Sequence, residues 1–169
     1  MTGRRVPARI GAYRSMVQSN RPNATRRSTR IRSRNPGLVR MRMPSRRQAV
    51  GPTVERIIEA VDAAGLDSDQ KLDLAVALAE ALSNAAVHGN RLRPRSQVMI
   101  TIYVTPRQQV TVEVKDSGHG FDLRHLSDPT EGPRILAPGG RGVFLMQRLV
   151  DRVEFFPPGN RVSLTVEAR

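Results

Sequence analysis

Gly139-Gly140-Arg141-Gly142 opens a segment, Val143–Val150, that carries helical patterning. A glycine run at the start of a helix suits an anion such as phosphate, because free N–H groups and the helix dipole both favour negative charge there. The same run also serves as a plain turn. Asp116 ends the alternating row Val110, Val112, Val114, so its carboxylate is expected on the core-facing side, where burial without a hydrogen-bonding partner costs several kcal/mol. Either it bonds its own backbone in an Asp-Ser-Gly turn, or it meets a donor from another molecule, to which Gly118 and Gly120 would give close access. The third place lies on a long helical pattern. At about 100° per residue, Leu74, Leu78, Leu82 and Ala85 form one face, and Asp73, Glu80, Asn84 and His88 line the other. Such a stripe is ordinarily a solvent face. Here asparagine, a poor interior helix residue, sits among small alanines that would obstruct no ligand. His88-Gly89-Asn90 reads as a helix stop with a left-handed glycine, a setting in which His88 satisfies backbone rather than performs catalysis.

These residues need a scaffold, and the periodicity supplies one. Leu38–Met43 reads as a short edge strand. Val54, Ile57, Ile58 and Val61 follow helical spacing up to a stop at Gly65. A second helix, capped by Ser68 or Asp67, runs to about His88. Val98, Ile100, Ile102 and Val104 alternate as in a strand, and with Val110–Val114 they make a hairpin around Pro106–Gln109. Phe121–Gly140 reads as one long loop, Arg141–Asp151 as a third helix. Arg152–Phe156 and Arg161–Glu167 form a last hairpin around Pro157-Pro158-Gly159-Asn160. The order predicts an α+β fold: a two-layer sandwich of a mixed, mostly antiparallel sheet with helices on one face.

Composition removes several function classes. The 169 residues include no cysteine, so disulfide frameworks, thiolate metal sites and thiol catalysis are excluded. No run of about 18 apolar residues exists to span a membrane, and no signal-type apolar core stands near residue 1; a cytoplasmic protein is expected. The net charge of +13 is unevenly spread: residues 1–50 hold 14 arginines and no acid, whereas residues 51–169 hold 14 basic and 15 acidic residues. Two domains of character follow, a 1–36 Arg-rich arm and a 37–169 folded domain. The arm mixes Arg with Ser, Asn, Thr, Pro and Gly without apolar period, so it is expected to be disordered. Three readings stand for it: a dispensable tail preceding a later start, a nucleic-acid contact through arginine and phosphate, or a transit peptide.

Together the polar clusters carry a resemblance that none carries alone. Glu80-Ala-Leu-Ser-Asn84-Ala-Ala-Val-His88-Gly89-Asn90, then Asp116-Ser-Gly118-His-Gly120-Phe121, then Gly140-Arg-Gly142-Val-Phe-Leu-Met-Gln-Arg-Leu-Val-Asp151 resemble the N, G1 and G2 boxes of the Bergerat-fold (GHKL) ATPases. Their short form is similar to that of the bacterial anti-sigma-factor serine kinases, and the resemblance covers roughly residues 38–167. It implies ATP and Mg²⁺ as ligands. Asn84 would help hold Mg²⁺, and Glu80 would be the general base for the attacking hydroxyl. Asp116 would accept the exocyclic amine of adenine, with Gly118 and Gly120 making room. Gly140, Arg141 and Gly142 would meet the phosphates under a lid formed by Phe121–Gly139, and Arg141 or Arg134 would add positive charge near the γ-phosphate. The arm has no counterpart in the family pattern.

The resemblance implies a protein serine kinase that binds a sigma factor and phosphorylates an anti-sigma-factor antagonist. It also suggests a homodimer, with Leu38–Met43 and the first helix as candidate contacts. Two other functions remain compatible with the residues. One is a nucleotide-dependent partner-binding module without kinase activity; the other is a nucleic-acid-associated ATPase working through the basic arm.

Overall fold

The computed structural model describes residues 37–105, 108–121 and 140–169. The arginine-rich arm lies outside the described residues, as does the expected lid beyond Phe121, with Arg134. Strands β1 (Leu38–Pro44), β2 (Gln97–Val104), β3 (Gln109–Lys115), β4 (Arg152–Phe156) and β5 (Arg161–Glu167) form one sheet in the order β1-β2-β3-β5-β4. Among the described strands every pairing is antiparallel, so the sheet expected to be mostly antiparallel is wholly so here.

The alternation read in the sequence sets the two faces. Met43, Val98, Ile100, Ile102, Val110, Val112, Val114, Val162, Leu164 and Val166 are buried in one cluster with residues of the helices, because alternate side chains of a strand share a face. Helix α1 (Val50–Ala60) contributes Val54 and Ile57, α2 (Ser68–Asn84) contributes Leu74, Ala77, Leu78, Ala81 and Leu82, and α3 (Gly140–Leu149) contributes Met146. On the other face the Thr111 and Thr165 hydroxyls pair across strands at 3.1 Å. Among the described residues, no helix is long and apolar enough to cross a membrane.

Helix α2 is the central element. It packs against both α1 and α3 as well as the sheet, which is why alanines rather than long side chains fill it. Asp67, not Ser68, is its N-cap. The Asp67 carboxylate accepts from the Gln70 N–H at 2.8 Å, and the Gln70 side chain accepts from the Asp67 N–H at 3.2 Å. Gln70 is buried and also donates to the Glu167 carbonyl at 2.7 Å, so this capping box fixes the start of α2 to the end of β5. Asp67→Ala is expected to cost about 1 kcal/mol in urea denaturation, the ordinary worth of an N-cap.

Two boundaries differ from the sequence reading. Helix α3 ends at Leu149 rather than Asp151, because Asp151 is bound to the sheet: its N–H donates to the Thr165 carbonyl at 3.0 Å, and its carboxylate accepts from the Glu167 N–H at 2.8 Å. The α-helical part of α2 ends at Asn84, and Ala85–Gly89 follow as a π-helical turn.

Candidate functional site

Glu80 and Asn84 are half-buried, one turn apart on α2, on the side that α3 approaches. The approach is closest at Gly142. A Cβ on that residue would lie 3.0 Å from a Glu80 carboxylate oxygen and 3.3 Å from the Asn84 side-chain amide. The glycine turn opening α3 therefore faces the carboxylate and carboxamide directly, and Arg141 beside it is exposed. The polar stripe is thus packed against α3 at this point rather than a bare solvent face. Gly140 begins the helix, so the unpaired N–H groups of its first turn belong to residues 140–142 and those just beyond.

The π-turn brings Gly89 and the Asp116 loop together. It is closed by the Asn90 N–H donating to the Ala85 carbonyl at 2.8 Å. Such wide turns within helices recur at functional sites. Here it sets Gly89 flat against the loop after β3, so closely that a Cβ on Gly89 would overlap the Asp116 carboxylate. Gly118 is packed as tightly: a Cβ on it would overlap the Gly89 carbonyl. The Asp116 side chain bonds locally, accepting from the Gly118 N–H at 2.7 Å. The Asp-Ser-Gly turn considered as an alternative is therefore present, and the same carboxylate also lies against the helix end.

Gly120, at φ 79°, packs on the Pro158 carbonyl in the turn between β4 and β5. From that turn Asn160 holds the loop: its carbonyl accepts from the Asp116 N–H at 3.0 Å, and its amide donates to the carbonyls of Asp116 and Gly118, each at 3.3 Å. Burial pushes the Asp116 carboxyl above the ordinary carboxylate value, while bonds from the Gly118 N–H and its own N–H oppose the shift. A raised value means that the folded protein holds this proton more tightly than the unfolded chain. Stability then falls as pH rises between the ordinary and the raised value. Asp116→Asn keeps the acceptor for Gly118 and removes the charge. The ligand-free variant is expected to melt higher than the parent at neutral pH, by a margin that closes on acidification through that window; thermal melts across acidic to neutral pH read this directly.

Of the expected site residues, Gly142 lies beside Glu80 and Asn84 near the C-terminal end of α2, and Gly140 and Arg141 precede it at the start of α3. Asp116 and Gly118 lie against Gly89 in the π-turn that follows α2, and Gly120 packs on the turn between β4 and β5. His88 is exposed, and the backbone role considered for it falls to Asn90. Three contributors were missed as site residues, Gly89, Asn90 and Asn160. The one signal for the first two was the helix stop, which says nothing of what packs on it. Asn160 lay inside a hairpin turn with no mark of its contacts.

Comparison with known proteins bears on the family and the fold. The family of histidine kinase-like ATPase domains matches residues 43–166. The chain is 25% identical over 134 residues to the serine-protein kinase RsbW of Staphylococcus aureus, covering 75% of this chain and 84% of that one. It is 28% identical over 109 residues to the serine-protein kinase RsbW of Listeria monocytogenes, covering 60% and 69%. Among solved structures, the RsbU and RsbW domains of Rv1364c from Mycobacterium tuberculosis align with a TM-score of 0.53 at 15% identity, over 78% of this chain. This likeness is one of fold, and it spans 32% of that longer chain. The chain belongs to the histidine kinase-like ATPase (GHKL) family and is of its serine-protein kinase type.

Proposed function

We propose that this kinase uses ATP with Mg²⁺ to phosphorylate a serine on a small anti-sigma-factor antagonist, and that it also binds a sigma factor, in the cytoplasm. ATP use accompanies membership of the family. The observation that carries the rest is the convergence of Glu80, Asn84 and Gly142 near the C-terminal end of α2, with Gly89 backing Asp116 in the π-turn that follows. Glu80 and Gly89 are nine positions apart along α2 and the π-turn, roughly 13 Å at helical rise, a span suited to the extended phosphate chain and base of one nucleotide.

In this reading Asp116 accepts the exocyclic amine of adenine, and Gly118 and Gly120 keep side chains out of the path of the base. Gly140, Arg141 and Gly142 present N–H groups and positive charge to the phosphates. Asn84 fits a magnesium ion: it supplies one neutral oxygen to an ion that takes its other ligands from phosphate and water. When bound, the ion neutralises charge on the phosphate oxygens. Glu80 takes the proton of the serine hydroxyl as its oxygen bonds to the γ-phosphorus and the bond to the bridging oxygen breaks, releasing ADP.

Calorimetry with ATP and Mg²⁺ tests the site, and transfer of labelled γ-phosphate to an antagonist co-purified from the native cell tests the activity. Binding without transfer in single-turnover labelling would replace the kinase with a nucleotide-dependent binding module. Absence of any heat with a folded sample would remove the nucleotide site altogether. The proposed antagonist and sigma factor rest on the resemblance of the three polar boxes to those of the anti-sigma-factor serine kinases.

A further inference from the structure

The loop that bears Asp116 is held to the end of α2 by one side chain outside the roles above. Asn90 is 3% exposed. Its side-chain oxygen accepts from the Ser117 N–H at 2.8 Å, and its side-chain amide donates to the Ser45 hydroxyl at 2.8 Å. Ser45 is 1% exposed and directly follows β1. Its own N–H donates to the Ser96 carbonyl at 3.2 Å, just ahead of β2. A single buried amide thus joins the sheet, the π-turn and the loop after β3. The chain leaving it supports the same view. Arg91 and Leu92 take φ of 51° and 54° in succession, a left-handed backbone that persists in side-chain-bearing residues only where surrounding contacts impose it. The Leu92 N–H is fixed to the Ala86 carbonyl at 2.9 Å.

We propose that Asn90 is a positioning residue for the base end of the nucleotide site, holding Ser117, and through it Asp116, against Gly89. This inference rests on the reading of Asp116 as the adenine acceptor. Asn90 touches neither Glu80 nor Asn84 by these bonds, so its effect is confined to the base. An amide that reaches two partners from a buried position has no water to replace it when removed. Among the described residues, the hydrogen bonds that then still hold the loop from outside are those of Asn160.

The test measures binding of adenosine, of ATP with Mg²⁺ and of GTP with Mg²⁺ to the full chain, for the parent, Asn90→Ala, Ser45→Ala and Asp116→Asn. Asn90→Ala is expected to weaken adenosine and ATP by the same factor, about tenfold, the usual worth of a buried hydrogen bond lost with its partner left unpaired. The ratio of ATP to adenosine affinity stays at the parent value, and preference for ATP over GTP shrinks. Ser45→Ala, which frees only the amide end, shows the same pattern at smaller size, and it alone decides the matter if Asn90→Ala does not fold. A purely structural Asn90 would lower the melting temperature and leave both affinities of the folded protein at parent values; that result, with Asp116→Asn still losing adenosine, overturns the inference. Parent-like adenosine binding by Asp116→Asn overturns instead the reading on which it rests. Loss of ATP affinity with adenosine unchanged would move Asn90 to the phosphate end and also refute the proposal.

Discussion

Glu80→Ala is expected to slow phosphate transfer roughly 100- to 10,000-fold, the usual contribution of a positioned general base, while ATP affinity stays within about threefold of the parent. The split follows from geometry. Glu80 stands with Asn84 beside Gly142, nine positions before the Gly89 that meets the Asp116 loop, and an anionic carboxylate adds nothing to the binding of an anionic triphosphate. Removing it leaves the apolar face of α2 intact, since Leu78 and Leu82 carry the burial of that segment. The measurement is single-turnover labelling of the antagonist alongside calorimetry with ATP and Mg²⁺. Labelling at the parental rate would exclude Glu80 as the base. Loss of ATP binding would place it among the binding groups.

Gly118→Ala is expected to strike the Asp116 loop instead. Its new methyl would meet the Gly89 carbonyl and the Asp116 carboxylate. One of these is backbone fixed by the π-turn, so the loop itself must move. Over-packing of this kind costs about 1–3 kcal/mol, and displacement of Asp116 from the acceptor position proposed for it is expected to lower ATP affinity by a further factor of about 10 to 100 at 1.4 kcal/mol per decade. Both the melting temperature and the calorimetric affinity should fall together. Gly142→Ala provides the contrast. There the added methyl meets the end of the Glu80 side chain at 3.0 Å, a group able to swing aside, so transfer slows while affinity for ATP and stability change little. Equal ATP affinities for parent and Gly118→Ala would show that the close packing of this loop has no part in recognising the base.

The scaffold was legible because its signals are local. Alternating valines and isoleucines in Val98–Val104 and Val110–Val114 become the paired β2 and β3, in register from Met99 opposite Lys115 to Val104 opposite Val110. Gly65, at φ 80°, ends the short turn after α1 where the helix was expected to stop. The placement of β5 between β3 and β4 was not legible, because Val162, Leu164 and Val166 would alternate identically at a sheet edge. The ends of α2 and α3 depended on partners distant in sequence: Asp151 joins the sheet, and the π-turn is drawn out by bonds from Asn90 to Ser45 and Ser117. For the site, the types and order of Glu80, Asn84, Asp116 and the glycines were readable as a resemblance. Their assembly was not. Periodicity places Glu80 and Asn84 on one face but cannot say that Gly142 closes over them. Nor can it say that Gly89 is bare because a carboxylate rests there.

The position of β5 has a consequence for biosynthesis. Asp116 and its glycines emerge from the ribosome long before residues 161–167, yet β3 gains its second neighbour only from β5, and Asn160 is what clasps the aspartate loop from that side. A nascent chain halted after α3 therefore carries every box of the site but lacks the strand and the turn that hold one of them in place. Nucleotide capture is accordingly expected to require the last hairpin, β4 with β5, to be in place.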